Sequence, residues 1–84
     1  MSGQKLRTAK SRLIRRKLGD NIRTLRERRG LSQVELAGIA QMHQAALCRI
    51  EHGLQALPPE KLYFMARYFG VTIDELFALA RGLI

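Results

Sequence analysis

The chain has 84 residues, 46% of them hydrophobic, with 15 Lys and Arg against 7 Asp and Glu and a formal net charge of +8. That length supports one small domain and not two. The single cysteine, Cys48, excludes an intramolecular disulfide and fits a reducing compartment. No apolar run approaches the ~18 residues of a membrane span, so no membrane partner is expected. The N-terminus has no continuous apolar stretch of the secretory kind, although its acid-free, Arg/Lys-rich run through Lys17 also has the make-up of a transit peptide. The expected location is the cytoplasm, with the nucleoid.

The charge is unevenly placed. Residues 1–29 sum to +9 and residues 30–84 to −1. A cationic block of this kind attracts polyanions such as nucleic acid, or stays a solvated tail. Residues 1–17 read as a basic N-terminal arm, disordered or a helical extension, and residues 18–84 as the folded domain. Leu6, Leu13 and Ile14 fall on a face that continues into Leu18, Ile22 and Leu25, so the first helix starts between Ser11 and Leu18. It ends at Gly30, after a basic last turn.

Ser32-Gln33-Val34-Glu35 is a capping box and opens a second helix over Gln33 to Ala40, burying Leu36, Ala37 and Ala40. After a break at Gln41-Met42-His43, a third helix spans Gln44 to about His52, with Leu47 and Ile50 inward and Gly53 as its stop. Pro59 starts a fourth helix, which runs to Phe69 on a stripe of Leu62, Met65, Ala66 and Phe69 and ends at Gly70. Thr72-Ile73-Asp74-Glu75 is a second capping box and opens a fifth helix with apolar Ile73, Leu76, Phe77 and Ala80. There are no hairpin signals and no repeats, so the expected fold is all-α with five helices.

Two short helices joined by about three residues in a small all-α domain describe a DNA-binding helix-turn-helix. The residues that make it up extend from Ile22-Arg23-Thr24-Leu25-Arg26 through Gly30-Leu31-Ser32-Gln33-Val34-Glu35-Leu36-Ala37 to Leu47-Cys48-Arg49-Ile50-Glu51-His52-Gly53. Ala66 through Val71 and Asp74-Glu75-Leu76 complete the set. Over residues 18–77 this pattern resembles the lambda/434 repressor and Cro type (XRE family) of helix-turn-helix regulators.

The resemblance implies a lambda-repressor-like fold and a role for particular positions. Gln33 matches the residue that contacts a phosphate and braces the recognition helix. Gln44 and Ala45 match its first exposed positions, where a Gln amide pairs with adenine and an Ala methyl packs on thymine. His43 stands at the cap position, usually Ser or Thr in the family, Cys48 at a commonly polar one, and Arg49 about one turn after Ala45. With Arg23, these complete the expected DNA-binding set. Arg26 and Glu51 match a partly buried ion pair. Gln41 stands where the family often has Gly, and positive φ strains a side chain, so a variant turn is expected.

Phe64, Tyr68, Leu79 and Leu83 supply apolar surface for a homodimer interface. A two-fold dimer would place two recognition helices about 34 Å apart on a near-palindromic operator. No nucleophile–base pair, paired carboxylates or metal-ligand cluster stands out, so neither an enzyme nor a cofactor or metal is expected. The expected function is a sequence-specific double-stranded DNA-binding transcriptional regulator, a repressor, open to a regulatory protein partner. The alternative is a protein-interaction module, antitoxin-like or coactivator-like, on the same fold.

Overall fold

A computed structural model describes residues 2–78, with side chains from Lys10 onward. Five helices follow in order: α1 (Ser2–Arg28), α2 (Gln33–Ala40), α3 (Gln44–Glu51), α4 (Pro59–Phe69) and α5 (Ile73–Phe77). Each contributes to one core. Leu18, Ile22 and Leu25 of α1 meet Leu36, Ala37 and Ala40 of α2, Leu47 and Ile50 of α3, and Met65, Ala66 and Phe69 of α4. Leu57 and Leu76 close it.

The first helix differs from the expected one. It is continuous from Ser2, well before Ser11, because between Gly3 and Leu18 the segment holds no Gly or Pro and consists largely of good helix formers. Leu13 and Ile14 are 56% and 50% exposed and do not join the buried stripe that begins at Leu18.

Local sequence sets the helix ends. Ser32 Oγ accepts the Glu35 amide N–H at 3.0 Å, and the Glu35 carboxylate accepts the Ser32 N–H at 2.8 Å. Thr72 and Glu75 repeat the arrangement at α5. Four helices end in a left-handed residue whose successor donates back to the carbonyl five residues earlier. Gly30, Gly53 and Gly70 fill that position at three of them.

Gln41 fills it at the fourth, with φ 54° and ψ 56°, so the variant turn expected there does not form. The Met42 N–H reaches the Ala37 carbonyl at 2.9 Å, half-buried Met42 packs on the core, and Lys61 Nζ donates to the Ala40 carbonyl at 2.8 Å. A cation at a helix C-terminus offsets the negative end of the dipole. These contacts hold a left-handed Gln where Gly would cost less.

Of the apolar positions named for the fifth helix, Leu76 is buried while Ile73 is exposed at the first turn of α5. The end of α5 is tied down by Asn21, whose buried amide donates to the Leu76 and Ala78 carbonyls at 2.7 and 2.6 Å.

Candidate nucleic-acid interface

The α2–turn–α3 unit is anchored from behind by a buried ion pair. Arg26 Nε donates to Glu51 Oε2 at 2.7 Å and Arg26 Nη2 to Oε1 at 3.1 Å, while Nη1 donates to the Leu31 carbonyl at 2.7 Å. The Glu51 side chain is 1% exposed. Its hydrogen bonds hold the Arg26 guanidinium above its ordinary pKa, against the opposing effect of burial. This is the pair expected from the sequence, and it ties the last turn of α1 to the end of α3.

The same carboxylate begins a relay to the surface. Gln33 Nε2 donates to Glu51 Oε1 at 2.9 Å, and Gln44 Nε2 donates to Gln33 Oε1 at 2.9 Å. Gln33 opens α2 and Gln44 opens α3, so one amide braces the other across the turn. Gln44 and Ala45 are both exposed at the start of α3.

The other candidate residues sit in different settings. His43 takes the N-cap backbone conformation, but its side chain makes no cap hydrogen bond. Cys48 is half-buried, with Sγ 3.8 Å from His52 Nδ1. Arg49 is exposed, and its Nε donates to Gln55 Oε1 at 2.8 Å, so it finds an amide beyond α3 rather than a carboxylate. Arg23 pairs with Glu27 one turn on at 3.4 Å, with both side chains exposed.

Of the apolar set, Phe64 and Tyr68 are half-buried and stacked, with ring centroids 5.7 Å apart. Arg29 lies over Tyr68 at 4.9 Å and over Phe69 at 5.2 Å. Leu79 and Leu83 lie outside the described residues.

The sequence does not single out Gly19, and it marks Gly53 only as a helix stop and His52 only as the end of the third helix. Gly19 lies against the end of α3: a Cβ there would collide with the Ile50 carbonyl oxygen and come within 2.8 Å of that of Glu51. Gly53 meets the Arg16 backbone, a Cβ there falling 2.9 Å from Arg16 Cα. His52 Nδ1 lies 2.8 Å from the Cys48 carbonyl and therefore donates to it, which turns Nε2 away from the helix backbone. A glycine inside an amphipathic helix is the one signal that could have marked Gly19.

This is a short-turn helix pair with a braced second helix and its first turn open. The helix-turn-helix family model matches residues 22–76. The chain belongs to that family, the lambda/434 repressor and Cro type of DNA-binding regulators. A competence pilus inhibition repressor of Acinetobacter baylyi is 29% identical over 66 residues, covering 79% of this chain and 60% of that one. The chain thus spans about three fifths of that relative's length.

Two solved structures share the fold. The clp gene regulator ClgR from C. glutamicum aligns with a TM-score of 0.69 and 24% identity over 84% of this chain and 92% of that one. The DNA-binding domain of BldD from S. venezulae aligns with a TM-score of 0.65 and 25% identity over 77% and 97%. Among the described residues, no helix is long and apolar enough to cross a membrane.

Proposed function

We propose that this helix-turn-helix protein is a sequence-specific, double-stranded DNA-binding transcriptional regulator that acts as a repressor, with α3 in the major groove. The observation that carries the reading is the Glu51–Gln33–Gln44 relay. It spends one N–H of the Gln44 amide on the brace and leaves the second N–H and the carbonyl oxygen open. An adenine edge needs that remaining pair, a donor for N7 and an acceptor for N6–H. Ala45 beside it offers a methyl to thymine. Gln33 at the start of α2 faces the sugar-phosphate backbone, and Arg49, Arg23, His43 and Cys48 line the flanks. The repressor named among the relatives supports the direction of regulation. The protein works where its operator is, on the nucleoid in the cytoplasm.

Binding as a homodimer belongs to the same proposal. Phe64 and Tyr68 with the C-terminal apolar residues form the expected interface, and the operator is then a near-palindrome.

Selection from a random duplex pool at ~150 mM salt, which suppresses nonspecific binding, tests the reading. The expected result is an enriched motif, and Gln44→Ala is expected to lose about tenfold or more in preference for it at the adenine position, a bidentate pair being worth ~1–3 kcal/mol. No enrichment, or equal preference by wild type and Gln44→Ala, sinks the assignment of α3. A motif without two-fold symmetry sinks the dimer alone.

A further inference from the structure

Between the first half of α1 and the loop after α3 lies a cleft of about 290 Å³ lined by Arg12, Arg15, Arg16, His52, Gly53 and Leu54. No carboxylate lines it. None of the three arginines forms an ion pair with a described residue. Three unpaired guanidiniums around one concavity repel one another and call for an anion, and their forked donors match a phosphate in particular.

The cleft follows from the helix geometry. Arg12, Arg16, Gly19 and Arg23 fall within about 60° of one another around α1. This is the stripe on which α3 ends, because Gly19 admits the Ile50 and Glu51 carbonyls and Gly53 abuts the Arg16 backbone. The close approach at both glycines sets the arginines beside His52. His52 also lines a second cavity with Arg23, Arg26, Glu27, Gln33 and Glu51. The cationic cleft is therefore continuous with the surface that carries Gln33 and, through it, Gln44. Ser32 to Gly53 holds Arg49 against Glu35 and Glu51, so the reading unit has no net positive charge of its own to hold a polyanion.

We infer that this cleft seats the phosphodiester backbone of the DNA flanking the bases read by α3, so that the long α1 acts as a rigid electrostatic clamp rather than a loose tail. This rests on the proposed DNA-binding function and adds to it where the backbone is held. A mobile cationic tail would attract DNA diffusely, and any of its charges would serve. A built cleft makes Arg12, Arg15 and Arg16 matter and makes Lys10 a bystander, since Lys10 lies on roughly the opposite side of α1 and is exposed.

The test is binding of the full chain to a mixed-sequence duplex and to the best duplex recovered from the random pool, across a salt series. Four proteins are compared: wild type, Lys10→Ala, the triple Arg12→Ala/Arg15→Ala/Arg16→Ala, and the triple to Lys. Each phosphate contact contributes about 0.9 to the slope of log affinity against log salt. The triple Ala variant is expected to lose roughly two to three from that slope on both duplexes, with the ratio between duplexes kept. Lys10→Ala is expected to leave the slope within error, and the triple Lys variant to recover most of it while binding more weakly than wild type.

Circular dichroism on each variant separates loss of helix from loss of contact, and a folded triple Lys variant that recovers no more of the slope than the triple Ala overturns the clamp as a phosphate seat. Equal effects of Lys10→Ala per charge removed overturn the clamp in favour of diffuse attraction. An unchanged slope in the triple Ala variant overturns it outright. If polyglutamate binding responds to the triple variant and duplex binding does not, the cleft is a protein site and the inference falls. Wild type that binds neither duplex removes the functional reading and the clamp together, whereas wild type that selects a motif with a slope indifferent to these arginines removes the clamp alone.

Discussion

Between Ser32 and Gly53 the chain holds one arginine against two glutamates, and the polar side chains at its centre are held in place: Glu51, Gln33, Gln44 and Arg49 each hydrogen-bond to a named partner. Between Lys10 and Lys17 it holds five cations and no acid, with no ion pair to a described residue. Discriminating one base from another needs groups held at fixed positions, because a donor that can swing accepts any edge. Attraction to phosphate needs only charge of the right sign within a Debye length, ~10 Å at ordinary salt. The first region has order without net positive charge and the second has charge with little bonding, so specificity and attraction are placed on different parts of one fold.

The sharpest way to break this contrast is to remove the anchor of the ordered region. Arg26→Ala is expected to destabilise the protein by about 3–5 kcal/mol, since it strands a buried carboxylate. Glu51→Ala is expected to cost less. Its orphan, Arg26, keeps the Leu31 carbonyl, and its side chain is 11% exposed against 1% for Glu51, so it reaches water more readily than a stranded Glu51 does. Urea unfolding of both variants checks the order. Equal costs would mean that Glu51 also reaches water, and the relay to Gln44 would lose its rigid base.

Next in size is Gly19→Ala. In an ordinary helix interior this change stabilises by up to about 1 kcal/mol. Here the new methyl meets two backbone carbonyls, which cannot rotate away. The expected result is a loss of about 1–3 kcal/mol, together with a larger loss in duplex binding, because α3 must lift from α1. Arg12→Ala, on the exposed face of the same helix, is expected to move stability by less than about 0.5 kcal/mol. Thermal unfolding of the two variants side by side decides it, and a stabilised Gly19→Ala would contradict the packing of α3 on α1.

The division between the regions also tracks what the sequence made legible. Elements with local signals were found to within a residue or two. The Ser32 and Thr72 boxes, Pro59 at the head of α4, and the Gly30, Gly53 and Gly70 stops all act through backbone groups close in sequence. The Arg26–Glu51 pair spans 25 positions and came only from resemblance to a family. Nothing local points to Asn21, whose amide closes α5 from 55 residues away. The start of α1 was placed too late because cations at a helix N-terminus oppose the dipole, an effect outweighed by a long run of helix-forming residues. At Gln41 a sound local rule about positive φ was overridden by the cap bonds and Lys61.

The smallest expected effects compare two caps within the ordered region. Ser32 caps α2 with its hydroxyl, whereas His43 at the head of α3 makes no such bond. Ser32→Ala is therefore expected to cost about 1 kcal/mol, and His43→Ala close to nothing. The capping box adds a pH signature. The Ser32 backbone N–H, and then its hydroxyl, hold Glu35 below the ordinary carboxylate pKa. A group whose pKa is depressed on folding binds its proton more readily in the unfolded chain, so its contribution is full above the unfolded value, ~4.3, and is lost as pH falls through the folded one. Glu35→Gln, which keeps the shape but cannot titrate, should therefore show a shallower fall in urea midpoint than wild type from neutral pH down to about pH 3. Parallel curves for the two proteins would mean that the box holds only as a neutral hydrogen bond, leaving the start of α2 as indifferent to charge as the start of α3.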